Sequence, residues 1–285
     1  MKTKIFFMVS AVAFIVFTSC SKKEALDESS INLADDDAVS EAVFDDIFSS
    51  VDNAEFILGD QLKGEVKSTS LSDSCPAIII DRPSDAIWPK TITIDYGTGC
   101  TGFYENTRSG KIIIVVTGPR LMTGSKKTVT FDNYYCNGIK VEGTKQIENM
   151  GYNANQNLVF SVTLTGGRLT LPDGRTIERS VDREREWVAG TLTRNIWDDE
   201  FLVTGTTSGI TINGVGYTNT IITPLHWKRV CRFMVSGIVK FEREGAVPVE
   251  LNYGDGECDA VAVVTRGDES REITLRFRHR LMKNN

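Results

Sequence analysis

The chain has 285 residues, 41% of them apolar and 25% charged, with 38 acids against 32 Lys and Arg for a net charge of −6. That is enough apolar content for a packed core, and the near-neutral body over residues 61–285 suggests neither nucleic acid nor an anionic membrane surface as a partner. The acids are unevenly spread: residues 21–60 hold twelve of them against Lys22 and Lys23, while residues 61–285 carry 26 acids and 28 bases.

Lys2 and Lys4, the apolar run from Ile5 to Phe17 and the closing Thr18-Ser19-Cys20 have the three-part layout of a secretory signal. The run is too short to span a bilayer, which takes about 20 residues. Residues 1–19 are therefore expected to be cleaved, which removes two lysines and no acids and takes the charge from −6 to −8. The small residues before Cys20 resemble the lipobox of bacterial lipoproteins, although Phe17 stands where that box usually has Leu. The resemblance implies a diacylglyceryl group on the Cys20 thiol and an acylated new amine, against the plainer reading of a secretory signal with a coincidental cysteine. Two or three acyl chains anchor stably where one would be reversible. Ser21, rather than Asp, implies the outer membrane by the same resemblance. Lys22-Lys23-Glu24 with Asp27-Glu28 is weakly similar to the export tag of surface lipoproteins in the Bacteroidetes, so a periplasmic and a cell-surface face are both open.

Residues 20–34 read as the lipidated cysteine and a flexible polar tether. Over 35–60 the spacing becomes helical, with Val39, Val43, Phe44, Ile47, Phe48 and Val51 on one face, and Asp35, Asp36 and Asp37 suit a helix N-terminus. One acidic amphipathic helix is expected, packed on the β-rich remainder of the chain. Its acidic charge argues against lying in a membrane surface, where Lys and Arg are favoured.

Residues 61–285 read as an all-β body. Strand signals fall at 77–80, 91–96, 111–117, 128–135, 158–164, 201–207, 235–241, 260–265 and 273–277, with turn pairs at Asn137-Gly138, Asp173-Gly174 and Asn213-Gly214. The expected fold is an elongated, twisted antiparallel sheet of hairpins with two related units, preceded by the helix. The strand from Arg175 to Val188 carries Glu178, Asp182, Glu184 and Glu186 on one face and Arg179, Arg183 and Arg185 among the residues of the other. Polar on both faces, it reads as a solvated stretch with cross-strand ion pairs rather than deep core.

Four cysteines fall in matching contexts. Cys75 lies 25 residues before Cys100 in Thr-Ile-Asp-Tyr-Gly-Thr-Gly-Cys, and Cys231 lies 27 before Cys258 in Glu-Leu-Asn-Tyr-Gly-Asp-Gly-Glu-Cys. Residues 71–120 and 227–277 therefore read as related units. In an oxidising envelope Cys75, Cys100, Cys231 and Cys258 are candidates for disulfides, though four cysteines allow three pairings, and buried reduced thiols are the other reading. Cys136 has no such counterpart. The chain resembles a group of Bacteroidetes outer-membrane lipoproteins with repeated β-hairpins, on the residues Asp95-Tyr96-Gly97-Thr98-Gly99-Cys100, Thr128 to Tyr135 and Asn252 to Asp259, with the lipobox in front. The resemblance implies location and fold type and carries no activity.

No motif for chemistry is complete in this sequence, so no catalytic residue and no cofactor is assigned. Gly97-Thr98-Gly99-Cys100-Thr101-Gly102 matches GxGxxG, but residues 103–110 read as a loop where phosphate binding needs a helix start, so it is taken as a glycine turn. Asp255, Glu257 and Asp259 alternate in a glycine turn and offer three oxygens to calcium, without the twelve-residue loop that ion usually has. His226 and His279 sit in no zinc or hydrolase motif. Asp198-Asp199-Glu200 contains the paired acids a glycosidase needs, and an exposed loop is the plainer reading. Trp88, Trp187, Trp197 and Trp227 would stack on sugars if exposed together, against the usual core role of large aromatics. The leading expectation is a non-enzymatic, membrane-tethered structural or interaction module, held to the membrane by the lipid on Cys20, with an envelope protein or polysaccharide as partner and no nucleic acid. A glycan-binding surface lipoprotein is the alternative, and an envelope hydrolase with a carboxylate pair a further one.

Overall fold

The computed structural model describes residues 28–58, 68–71, 75–81, 86–101, 106–193, 195–231 and 233–275. The signal sequence, Cys20, Ser21 to Asp27 and His279 lie outside the described residues.

Among the described residues one α-helix, α1 (Glu28–Leu58), precedes fifteen strands. They are β1 (Ser68–Leu71), β2 (Ala77–Asp81), β3 (Lys90–Asp95), β4 (Cys100–Thr101), β5 (Thr107–Val116), β6 (Lys126–Cys136), β7 (Ile139–Tyr152) and β8 (Leu158–Thr170). There follow β9 (Thr176–Ala189), β10 (Glu200–Ile210), β11 (Gly216–Lys228), β12 (Ser236–Glu242), β13 (Val249–Asp255), β14 (Val261–Arg266) and β15 (Glu269–Thr274). All join one twisted, open antiparallel sheet in chain order, with β4 alone off the path as a short partner of β5. Near-neighbour pairing of this kind needs only hairpin connections. At Asn137-Gly138 both residues have positive φ, 51° and 80°, as the tight turn between β6 and β7 requires.

Antiparallel order sorts the connections onto two ends of the sheet. Short turns at 137–138, 171–175, 211–215, 243–248 and 267–268 make a turn end, and the connections at 82–89, 117–125, 153–157, 190–199, 229–235 and 256–260 make a loop end.

The sheet curls about the helix. Val43, Phe44, Ile47, Val51 and Ala54 pack against inward residues of β2 to β9, among them Ile80, Ile92, Ile112 and Ile114. Leu33, Ala34 and Ala38 pack against β7 to β14, among them Phe201, Phe241, Leu251 and Val264. The helix begins at Glu28, seven residues before the sequence pattern suggests, because Leu33 and Ala34 carry its apolar contact back over the β12–β14 part of the sheet.

Two strands that apolar patterning misses are β7 and β11. In β7 the buried positions include Lys145 and Asn149 beside Ile139, Val141 and Ile147, so hydropathy does not alternate cleanly. In β11, Pro224 interrupts the pattern and sits where the register to β12 shifts between Thr223 and His226, the kind of irregularity that tolerates a missing N–H.

The reading of β9 as solvated on both faces is corrected. Its Glu178, Asp182, Glu184 and Glu186 do point outward, but Arg179, Arg183 and Arg185 are each 3% exposed and turn inward to the helix. The acids that helix presents, Asp36, Asp37, Glu41, Asp46 and Asp52, are buried or nearly so. A buried charge needs a partner, and here helix and sheet supply opposite signs to one another.

The two cysteine units share one arrangement. Cys75 precedes β2 and Cys100 follows β3, while Cys231 precedes β12 and Cys258 follows β13. In each, the Asx side chain accepts the N–H of the glycine two residues on, Gly97 onto Asp95 at 2.8 Å and Gly254 onto Asn252 at 2.9 Å. The tyrosine between, Tyr96 or Tyr253, is buried. Because β2 and β12 run in opposite directions, the units face opposite ends of the sheet.

Candidate functional site

The helix acids take their partners one after another. Near the turn end, Asp37 accepts hydrogen bonds from Arg179 and from the Tyr217 hydroxyl (3.1 Å), and Glu41 accepts from Arg179 and Arg183 (2.6 Å to the latter). Burial works to raise the Glu41 carboxyl, but Arg183, Arg179, Arg185 and Lys145 outweigh it and hold the group at about 2. Asp46 accepts a forked pair from Arg108, Nη2 to Oδ1 at 2.6 Å and Nε to Oδ2 at 3.1 Å, and a further hydrogen bond from Asn106 at 3.2 Å.

At the loop end, Asp52 ties several connections together. Lys127 at the start of β6 approaches at 3.1 Å, Arg120 of the β5–β6 loop at 3.9 Å, and Arg229 of the β11–β12 loop donates directly. Burial would raise this carboxyl, yet Lys127, Arg120 and Arg229 hold it well below the usual range. Arg229 also reaches Asp199 of the β9–β10 loop at 3.6 Å and donates its backbone N–H to the Asp199 carbonyl at 3.0 Å. Asp199 shows the opposite balance. Burial, with help from Asp52 and Asp198, pushes it up to about 6 against Arg120 and Arg229.

Above this knot sit aromatic rings. Trp187 and Trp227 flank Phe201 with centroids 5.6 and 5.5 Å away, and Arg120 lies 4.3 Å over Trp187. Both tryptophans are buried, at 6% and 4% exposure, so the expectation that they offer faces to sugar is corrected: they are the core beneath the loops. Trp88 is partly buried with Lys90 4.8 Å from its ring centre, and Trp197 is exposed on a one-turn 3-10 helix, Ile196–Asp198.

Cys75 and Cys100 form one disulfide, and Cys231 and Cys258 another. Cys136 is a free thiol buried at the end of β6, and burial, with Asp46 adding to it, pushes it up to about 12. The calcium expectation at Asp255, Glu257 and Asp259 is corrected. All three are exposed, Asp259 accepts the Val261 N–H at 3.0 Å, and among the described residues no three His, Cys, Asp or Glu side chains converge on a metal position. Gly97 and Gly99 form a turn that leads into the short strand β4. Within Asp198-Asp199-Glu200, Asp198 is exposed but Asp199 is buried at 2%, and Glu200 meets His226 at 2.7 Å across β10 and β11. An open groove of about 670 Å³ lies near the turn ends of β9 to β12, lined by Glu178, Ser180, Ser208, Ile210, Thr218 and Glu242. The raised carboxyl of Asp199 is not among its walls.

Comparison with protein-family models, with curated proteins and with solved structures finds no match for this chain.

The tips of the loop end are apolar. Leu121 and Met122 (each 58% exposed), Met150 and Tyr152 (53% and 64%), Leu192 (99%) and Val230 (57%) all stand there. Asn149 donates to the Arg120 carbonyl at 2.8 Å and Gly124 to the Asn149 carbonyl at 2.8 Å, holding the first two of those pairs together. The Arg229–Asp199 contacts do the same for the loops of Leu192 and Val230. No sequence pattern groups these residues, because the hairpin order brings them together across more than a hundred positions.

Proposed function

We propose that this is an exported lipoprotein, anchored through a lipid on Cys20 to the outer membrane, that serves as a non-enzymatic interaction module of the cell envelope. The observation that carries the reading is the set of apolar loop tips gathered at one end of a sheet whose interior is already filled by its own helix. Such exposure on a folded protein marks a contact surface more often than a catalytic one. Two disulfides suit an oxidising compartment and support export. The non-enzymatic part is supported by the placement of Asp199, whose carboxyl is raised to about 6 but which is buried against Arg229 and away from the groove.

The test is metabolic labelling with radioactive palmitate, followed by membrane fractionation. The native chain should carry label and sediment with the outer membrane, and Cys20→Ala should do neither. An unlabelled native chain would overturn the reading.

A further inference from the structure

We propose that Asp199 is a proton-operated latch. With its carboxyl protonated the β9–β10 connection is seated on the Asp52–Arg229 knot, and loss of that proton lets the connection lift, carrying Leu192 and Trp197 with it. This adds regulation to the apolar loop end and rests on the reading of that end as a contact surface.

The seat is tight and poorly provided with donors. Asp199 is 2% exposed, and a Cβ on Gly190, at the other end of the connection, would stand 2.4 Å from its Oδ1. Its Oδ2 accepts no hydrogen bond, and Arg229 Nε stops 3.6 Å away. Arg229 is turned instead to Asp52 of the helix, to which its Nη2 donates. The cations of the neighbouring elements face the same way: Lys127 of β6 stands 3.1 Å from Asp52, and Arg120 of the β5–β6 loop lies over the Trp187 ring and 3.9 Å from Asp52. On its own connection, Asp198 is exposed and accepts from the Thr193 hydroxyl at 2.9 Å. On the next two strands, Glu200 and His226 pair with one another on the outward face. Arg194 and Arg232 lie outside the described residues.

A neutral carboxyl suits such a place. An ionised one is a second buried anion beside Asp52 with no hydrogen-bonded cation of its own, which is costly. Two movements relieve it: Arg229 leaves Asp52, or Asp199 moves out to water. The Asp52 side chain has 0% exposure and joins helix to sheet, so stranding it costs more than lifting a surface connection. Among the described residues the backbone of that connection is tied to the next loop by one hydrogen bond, Arg229 N–H to the Asp199 carbonyl at 3.0 Å; its other bonds, Thr193 to Gly190 and Asp199 to Ile196, are internal. The titration of the group agrees with this balance, since burial pushes it up to about 6. The seated form then holds the proton more tightly than the lifted one, so opening is favoured as pH rises from 3.8 through about 6.

Hydrogen exchange on the full chain, read by mass spectrometry, tests the latch. After correction for the intrinsic pH dependence of exchange, amides over 190–199 should exchange about ten-fold or more faster at pH about 7.5 than at about 4.5, and the turn at 243–248 should show no such step. Asp199→Asn keeps the seat neutral and should hold exchange slow at both pH values. Gly190→Ala drives a methyl into the carboxyl and should make exchange fast at both. His226→Gln should leave the step in place, which separates Asp199 from the imidazole. Exchange over 190–199 that stays level or slows as pH rises would overturn the latch, as would the native step persisting in Asp199→Asn. The native chain decides the first of these even where a variant does not fold. The anchored-module reading fails separately, by a native chain that takes up no lipid label.

Discussion

Asp52 is the residue on which most of the loop end depends. It is fully buried, and so is Arg229 at 1% side-chain exposure, so neither charge has water to fall back on. Removing one partner of such a pair leaves the other stranded and costs about 3–5 kcal/mol. Asp52→Ala should therefore lower unfolding stability by that order in denaturant titration, and the double change with Arg229→Ala should cost less than the sum of the singles. Asp199 and Glu41 make opposite contributions to pH dependence. Glu41 is held at about 2, below its ordinary 4.5, so it adds stability that is present above about 4.5 and lost as pH falls through about 2. Asp199 is raised from 3.8 to about 6, so the folded state holds the proton more tightly than the unfolded one, and stability falls as pH rises between those values. Asp199→Asn should remove that fall, and a mutant that keeps the native slope between pH 4 and 6 would assign it elsewhere. These residues were visible in the sequence but not their sense. Arg179, Arg183 and Arg185 read as surface because charge is usually solvated, and nothing local reveals that the facing layer is an acidic helix.

Among the strands and their connections, the cysteine pairs show what sequence can reach. Two stretches with the same Asx-Tyr-Gly and cysteine order point to related units, and each disulfide closes its own hairpin, with separations of 25 and 27 residues. Closing loops of that length stabilises by about 3–4 kcal/mol in the chain-entropy account. Cys231→Ser with Cys258→Ser should lower the melting temperature and loosen the Val230 loop, seen as faster amide exchange over 229–235. The Cys75–Cys100 pair, at the other end, should leave that loop's exchange unchanged. The helix was legible as a helix from its apolar spacing. Its start was not, since Glu28, Ser29, Ser30 and Asn32 are polar, while Leu33 and Ala34 carry apolar contact to the sheet ahead of the spacing that marks the helix. β7 and β11 escaped because a strand that buries Lys145 or accommodates Pro224 lacks the alternation by which strands are recognised.

The molecule as a whole is a sheet that has no complete core without its helix. Inward-facing Lys90, Arg108, Lys127, Lys145, Arg179, Arg183, Arg185, Arg229 and Arg266 are all buried, and the helix answers with Asp36, Asp37, Glu41, Asp46 and Asp52. It also fills both apolar clusters. A chain reduced to residues 59–285 would leave a concave face of stranded cations around uncovered isoleucine and phenylalanine, which is unfavourable on both counts. Such a chain should show strand-rich far-ultraviolet dichroism but no cooperative thermal transition. Adding a peptide of residues 28–58 in trans should restore a transition whose midpoint rises with peptide concentration, since ligation of the folded state stabilises it by mass action. The same peptide with Asp46→Asn and Asp52→Asn should restore much less, because it covers the apolar surface while leaving Arg108, Lys127 and Arg229 without their anions. A cooperative transition in the truncated chain alone would show that the sheet holds its curl unaided and that the helix is an accessory to it.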